Sequence, residues 1–256
     1  MLSAAIVIVS FISEDKPLQK KVLVTGASRR VGLHLAKRLH QDGYSVLAHY
    51  RSETEGVQEL KAMGVETIRA NFDSRDSILE FVARLRKQYQ GFRAIIHNAS
   101  SFFPTDDDLA EAAEQYETFF YAHMMAPYLI NQGLHDRLHG DNDDPADIIH
   151  ITDINVENPT PRFDIYGTTK AGLHNMMLVL AKKYAPDIKV NAIAPGPVLF
   201  TESHSEEVRN NMMQETPLAR EGGAEPVYLA VKSLLINPFL TGVSIPVDGG
   251  RRLSKR

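Results

Sequence analysis

The sequence predicts an α/β fold built on a mostly parallel sheet, and three observations carry that prediction. From residue 20 onward, short runs rich in Val, Ile and Leu alternate with segments whose apolar residues recur at helical spacing. A glycine-bearing turn, Thr25-Gly26-Ala27-Ser28-Arg29-Arg30-Val31-Gly32, joins the first strand pattern to the first helix pattern. The chain has 256 residues, a length at which such folds often run undivided. Together these imply a single Rossmann-type, doubly wound parallel sheet of about seven strands with helices on both faces.

Lys21-Val22-Leu23-Val24 is the first strand. The helix after the turn runs through Leu33, Leu35, Ala36 and Leu39, and Gly43 suits its C-terminal cap. Ser45 to Tyr50 is the second strand, Val57 to Met63 a helix, and Thr67 to Ala70 a short third strand. Ile78 to Tyr89 has helical spacing, and Arg93 to His97 is the next strand. Ala110 to Leu138 is predicted helical throughout, with a kink or break at Pro127. Gly140 to Pro145 forms an acidic loop ahead of a buried strand at Ile148-Ile149-His150-Ile151.

The next helix carries Tyr166, Leu173, Met176, Met177, Leu180, Ala181 and Tyr184, and Lys189 to Ala194 is a strand. Residues 197–223 lack a clear pattern and are expected to include a mobile segment over the site. A helix from Pro226 to Leu235 and a strand from Val243 to Val247 close the fold. No repeat or low-complexity tract interrupts residues 18–256, which read as one domain. The apolar stretch Leu2 to Ile12 is too short to span a bilayer as a helix and lacks the basic start of a secretory signal. Residues 1–17 therefore read as a loosely packed extension, with a membrane anchor as the alternative.

The hydrophobic fraction of 43% and charged fraction of 23% are those of a soluble globular protein, and the cytoplasm is the expected location. A net charge of -4 argues against a nucleic-acid binder. The absence of cysteine excludes disulfides, thiolate catalysis and Cys-ligated zinc. Asp106-Asp107-Asp108 and Asp141-Asn142-Asp143-Asp144 lack the spacing of a calcium loop, and no His-Glu-x-x-His occurs, so these acidic runs read as solvated loops and no metal is expected.

Tyr166 and Lys170 stand four residues apart on one helix face, and Asp153 lies thirteen residues before the tyrosine, just past the C-terminal end of a strand. A nearby ammonium is expected to lower the tyrosine pKa and make the phenol a usable proton donor. At the turn, Gly26 permits a tight bend, Gly32 lets the helix lie close to the sheet, and the helix N-terminus offers N–H groups to a pyrophosphate. Arg51 lies nineteen residues after Gly32, where an arginine accommodates the 2′-phosphate of NADP and an acid would bind NAD. Ser52 adds a donor, and Glu53 and Glu55 fall where the next helix begins. NADP(H) is the expected cofactor.

These motifs resemble the short-chain dehydrogenase/reductase family over roughly residues 18 to 253. Asp153 where that family usually has serine, Arg30 where it has a third glycine, and Asn98-Ala99-Ser100-Ser101-Phe102 in place of Asn-Asn-Ala-Gly are similar to its pteridine reductase branch. His97 to Ser101, Ile148 to Asp153 and Lys189 to Pro195 look like the bacterial dihydromonapterin reductases within it.

The resemblance implies catalysis by Asp153, Tyr166 and Lys170. It implies cofactor contacts from Gly26, Ser28, Arg29, Arg30, Val31, Tyr50, Arg51, Ser52, Phe72, Asp73, Asn98, Ala99, Ser100, Tyr166, Lys170, Pro195 and Gly196. Arg30, Ser100, Phe102, Asp153 and Tyr166 would meet a pterin substrate, with Phe102 stacked on its flat face. Whether Asp153 or Tyr166 delivers the proton stays open. His123 stands where the wider family often has asparagine and is assigned no catalytic role. A homotetramer is implied by resemblance. A carbonyl or 3-oxoacyl reductase is the enzymatic alternative, and a non-catalytic NADP(H)-binding regulator the other.

Overall fold

The computed structural model describes residues 20–140, 144–200 and 205–254, and the expected extension over residues 1–17 lies outside them. Seven parallel strands form one sheet in the order β3-β2-β1-β4-β5-β6-β7: β1 Lys21–Val24, β2 Ser45–Tyr50, β3 Glu66–Arg69, β4 Phe92–His97, β5 Ala146–Ile151, β6 Ile188–Pro195 and β7 Ser244–Val247. Each begins and ends within two residues of its expected place. The central strands β4 and β5 are buried along their whole length, which only helices on both faces allow.

Side-chain alternation divides the core in two. Leu23, Leu47, Ile95, Ile148 and Val190 face α3 (Arg75–Gln88), α5 (Ala126–Leu134) and α6 (Asp164–Tyr184). Val22, Val24, Ala48, Ile96, Ile149 and Ile193 face α1 (Arg30–Gln41), α2 (Glu55–Ala62) and α8 (Glu225–Ile236). Gly43 follows α1 at φ 90°, the left-handed conformation expected of a residue just past a helix end. Strand order reverses between β1 and β4, so the crevice beyond their C-terminal ends is the natural ligand site of this architecture.

Three expectations need correction. The stretch from Ala110 to Leu138 is not one kinked helix: α4 (Leu109–Phe120) passes through a π-helical turn at Tyr121–Met125 into α5 and then a 3₁₀ turn at His135–Arg137. Pro127 cannot donate to the ladder and its ring crowds the carbonyl four residues back; the wider π turn relieves both problems without a break. Residues 197–223 contain α7 (Glu206–Gln214), started by Ser205, whose hydroxyl accepts from the Val208 N–H. Its apolar residues are too few to give a periodic signal, and residues 201–204 lie outside the described ones.

The acidic runs are not simply solvated. Asp108 caps α4 by accepting from the Ala110 and Glu111 N–H groups at 2.9 and 3.1 Å. Asp144 is paired with the buried Arg93 at 2.6 Å, while residues 141–143 lie outside the described ones. Among the described residues no helix is long and apolar enough to cross a membrane, and no group of three or more potential metal ligands occurs.

Candidate active site

The glycine turn is locked to the end of β4. The Thr25 hydroxyl accepts from the N–H groups of both Asn98 and Ala99 at 3.0 Å, and the Asn98 amide donates to the carbonyls of Thr25 and Gly26 at 3.0 Å each. Gly26 has φ 68°, and a Cβ there would lie 2.7 Å from Ala99 Cα. A Cβ at Gly32 would come within 2.2 Å of the Gly26 carbonyl oxygen and 2.4 Å of the Asn98 amide. The glycine at 32 therefore seats the helix on its own turn and on Asn98 rather than on the sheet. His49 braces the turn from β2: its Nδ1 accepts from the Gly26 N–H at 3.1 Å, and Nε2 faces the Ala70 carbonyl at 3.2 Å.

Helix α1 begins without a side-chain cap, with exposed Arg29 and Arg30 at its start and no acidic residue in its first turn. Arg30 has φ 53°, a strained conformation for a residue with a side chain, which proteins tend to retain at functional positions. Ser28 and Val31 flank the arginine pair and are half-buried. Arg51 and Ser52 follow the buried Tyr50 at the end of β2 and are exposed. Glu53 is turned toward α2, pairing with Lys61 at 2.7 Å. The Thr54 hydroxyl donates to the Ser28 carbonyl at 2.8 Å and ties the start of α2 to the turn.

Beyond β3, Asp73 is exposed and accepts from the Ser77 hydroxyl, while the Phe72 ring lies flat on His49 at 4.3 Å. At the other end of the crevice, Pro195 pairs with Val247 and the Gly196 N–H donates to the Val247 carbonyl at 3.0 Å. A Cβ at Gly196 would meet Asp248 at 2.8 Å.

The three expected catalytic side chains converge. Tyr166 donates its phenol to Asp153 Oδ2 at 2.9 Å, and Asp153 Oδ1 accepts from the Asn155 N–H at 2.7 Å. Lys170 is buried, donates to the Ile151 carbonyl at 2.8 Å, and lies 5.7 Å from the centre of the Tyr166 ring. One electrostatic expectation is overturned. The Tyr166 pKa is raised well above the ordinary phenol value, first by burial and then by the neighbouring Asp153 charge; Lys170 does not lower it. Burial also raises the Asp153 carboxyl and pushes Lys170 down to about 8. The phenol thus keeps its proton and aims it at the carboxylate.

Phe102 is half exposed, its ring edge-on to Tyr166 at 4.9 Å and stacked on Phe163 at 4.7 Å. Ser100 is exposed on the same loop. Sequence reasoning missed two contributors. His123 is buried edge-on to Tyr166 at 5.5 Å, with Nε2 2.8 Å from the Ser100 hydroxyl and Nδ1 2.9 Å from the Thr169 hydroxyl. Thr169 directly precedes Lys170, and its hydroxyl donates to the Tyr166 carbonyl at 2.9 Å. A histidine within a helix carries no pattern that distinguishes this placement from an ordinary core residue.

A family profile described as Enoyl-(Acyl carrier protein) reductase matches residues 26–252. The chain belongs to the short-chain dehydrogenase/reductase family. Relatives of this short-chain reductase include the dihydromonapterin reductase of Enterobacter sp. (strain 638), 36% identical over 236 residues that cover 92% of this chain and 98% of the relative. The dihydromonapterin reductase of Klebsiella pneumoniae is 35% identical over 242 residues, covering 94% and 100%. Among solved structures, FolM Alternative dihydrofolate reductase 1 from Brucella canis, complexed with NADP, superposes with a TM-score of 0.80 at 26% identity, covering 93% of this short-chain reductase and 95% of that chain.

Proposed function

We propose that this chain is an NADPH-dependent reductase of dihydropterins, with dihydromonapterin as the leading substrate. The observation that carries the reading is the 2.9 Å hydrogen bond from Tyr166 to Asp153. It puts a carboxyl group beside the phenol, where the wider family has a serine. A carboxylate is an acceptor with two oxygens, able to hold adjacent N–H groups such as those on a pterin edge. The names of the relatives and the NADP complex of the Brucella protein support the same reading.

The residues present fit NADP(H). The uncapped start of α1 with Arg29 and Arg30 suits a pyrophosphate. Arg51 and Ser52 suit a 2′-phosphate, and Glu53, which could have favoured NAD, is held by Lys61. Gly26, Ser28, Val31, Tyr50, Phe72, Asp73, Asn98, Ala99, Ser100, Pro195 and Gly196 line the remaining cofactor path, Phe72 through its backbone because its ring is taken by His49.

When bound, the nicotinamide supplies a hydride to the carbon of the C=N bond. The adjacent nitrogen needs a proton. The Tyr166 phenol keeps its proton and holds Oδ2 of Asp153, and the raised Asp153 carboxyl is suited to take up a proton from solvent and carry it. We assign proton delivery to Asp153, orientation of that carboxyl to Tyr166, and the nicotinamide ribose to Lys170. Arg30, Ser100 and Phe102 would hold the pterin, with the Phe163 ring leaving the face of Phe102 as the pterin enters. The exposed apolar side chains Leu109, Tyr116 and Phe120 on α4 and Val179 on α6 fit a homotetramer, and a cytoplasmic location accords with this chemistry.

NADPH oxidation measured with dihydromonapterin, dihydrobiopterin, dihydrofolate, a simple ketone and a 3-oxoacyl thioester tests the proposal. Turnover of the dihydropterins is expected. Turnover of the thioester alone would favour a 3-oxoacyl reductase. NADPH binding without turnover of any of them would favour a regulator.

A further inference from the structure

We propose that His123 is a positioning residue that turns the Ser100 hydroxyl into a hydrogen-bond acceptor facing the substrate pocket. The inference rests on the dihydropterin reading for its substrate, but its geometry stands independently.

We take the buried Thr169 hydroxyl as the fixed donor. Its one proton goes to the Tyr166 carbonyl at 2.9 Å, and Thr169 then accepts from His123 Nδ1 at 2.9 Å. Nδ1 therefore carries hydrogen. The ring is buried, stacked on Phe119 at 5.5 Å and edge-on to Tyr166, so a charge on it would be costly. Burial, and then the Lys170 charge, push its pKa well below the usual histidine value, in agreement with a neutral ring.

A neutral ring protonated on Nδ1 presents a lone pair at Nε2, and the atom opposite it at 2.8 Å is the Ser100 hydroxyl. Ser100 must then donate to Nε2 and not to the Ser101 carbonyl, which lies 3.0 Å away. Both oxygen lone pairs of Ser100 are then free, on an exposed residue two positions before Phe102. A site so arranged recognises a substrate N–H, such as the amino or ring N–H groups of a pterin, and has no donor at that point for a ketone oxygen. Three steps thus join the start of α6 to the substrate loop: the Tyr166 carbonyl, the Thr169 hydroxyl and the His123 ring.

Glutamine and asparagine separate this role from simple packing. A glutamine amide oxygen reaches the place of Nε2, whereas an asparagine reaches only that of Nδ1. With dihydromonapterin and NADPH, Ser100→Ala and His123→Asn are each expected to raise the KM for the pterin about tenfold. The double variant should be no worse than either single one. His123→Gln should stay within about threefold of the unsubstituted enzyme, and kcat and the KM for NADPH should hold in both His123 variants.

Equal damage from both His123 substitutions, or additive effects in the double variant, would overturn the proposal. Should either His123 variant fail to fold, ¹⁵N NMR of the unsubstituted protein decides. The Nδ1–H tautomer supports the proposal; the Nε2–H tautomer or an imidazolium at pH 7 refutes it. If the unsubstituted enzyme turns over no dihydropterin, the substrate reading fails, and the same spectrum still judges the His123 geometry.

Discussion

The two ends of the sheet both bury charged side chains, and they do so in opposite ways. At the N-terminal ends of β4, β5 and β6, Arg93, Asp147 and Lys189 are buried together with the partly exposed Asp144. Arg93 pairs with both aspartates at 2.6 Å, and Lys189 lies 3.4 Å from each. Two cations meet two anions, and the Leu234, Leu235 and Asn237 carbonyls take further protons. That network closes on itself. At the C-terminal ends, the hydrogen bond of buried Lys170 goes to a neutral carbonyl, and Asp153 is satisfied by a phenol and a backbone N–H. Buried charge is paired with its opposite at one end of the sheet, and is held by neutral groups at the end where we propose the chemistry.

The contrast is broken most severely at the C-terminal end. Tyr166→Phe should lower kcat for dihydropterin by about 10²- to 10⁴-fold, with NADPH affinity by fluorescence titration and the melting temperature unchanged. An equal loss of stability would mean that the phenol is a packing element, like the groups at the other end.

At the N-terminal end the reverse holds. Asp147→Ala leaves two buried cations short of an anion and should cost about 3–5 kcal/mol in a urea titration. Folded enzyme should retain its kcat. Next in size, Arg51→Ala should raise the KM for NADPH by about tenfold or more and leave that for NADH nearly unchanged, if the arginine meets the 2′-phosphate.

Buried histidines and buried aspartates respond to acid with opposite sign. Burial depresses His49 and His97 to about 4, so their contribution is complete above the ordinary value of 6.5 and is lost as pH falls toward 4. Burial raises Asp147 to about 6, so its contribution is complete below the ordinary 3.8 and is lost as pH rises through 6. Calorimetry of His97→Gln between pH 7 and 4.5 should show a shallower fall in melting temperature than the unsubstituted chain, by a few degrees (about 2–4 °C per kcal/mol at this size). An unchanged slope would remove His97 from the acid response. The smallest effect belongs to Glu53→Gln, which should alter neither melting temperature nor the KM for NADPH measurably, because the pair it makes with Lys61 is exposed.

The strands were legible because their signal is local: a run such as Ala94-Ile95-Ile96 announces burial on both faces. The convergence of Asp153, Tyr166 and Lys170 and the glycine turn were legible because backbone geometry fixes their spacing. Asp153 and Tyr166 meet at 2.9 Å as their positions imply. What escaped depends on contacts between distant segments. Nothing in the sequence says that His49 will hold the Gly26 N–H, or that Ser100 and Thr169 will share His123. The Tyr166 pKa was misjudged for a related reason, since Lys170 is visible at four residues' distance whereas burial is not. The segment holding α7 was obscure because its residues are mostly polar and none is buried.

The π turn at Tyr121–Met125 sets a limit on how this chain can change in length. Such a turn holds one residue more than an α-helical turn, so it absorbs that residue while the helices on either side stay nearly in phase. Deleting one of the five would keep Phe119 on roughly the same face but would return Pro127 to an α-helical ladder, where its ring crowds the carbonyl four residues back. A deletion is therefore more costly at this turn than in the loops around α4 and α5, because the more regular helix has no room for Pro127.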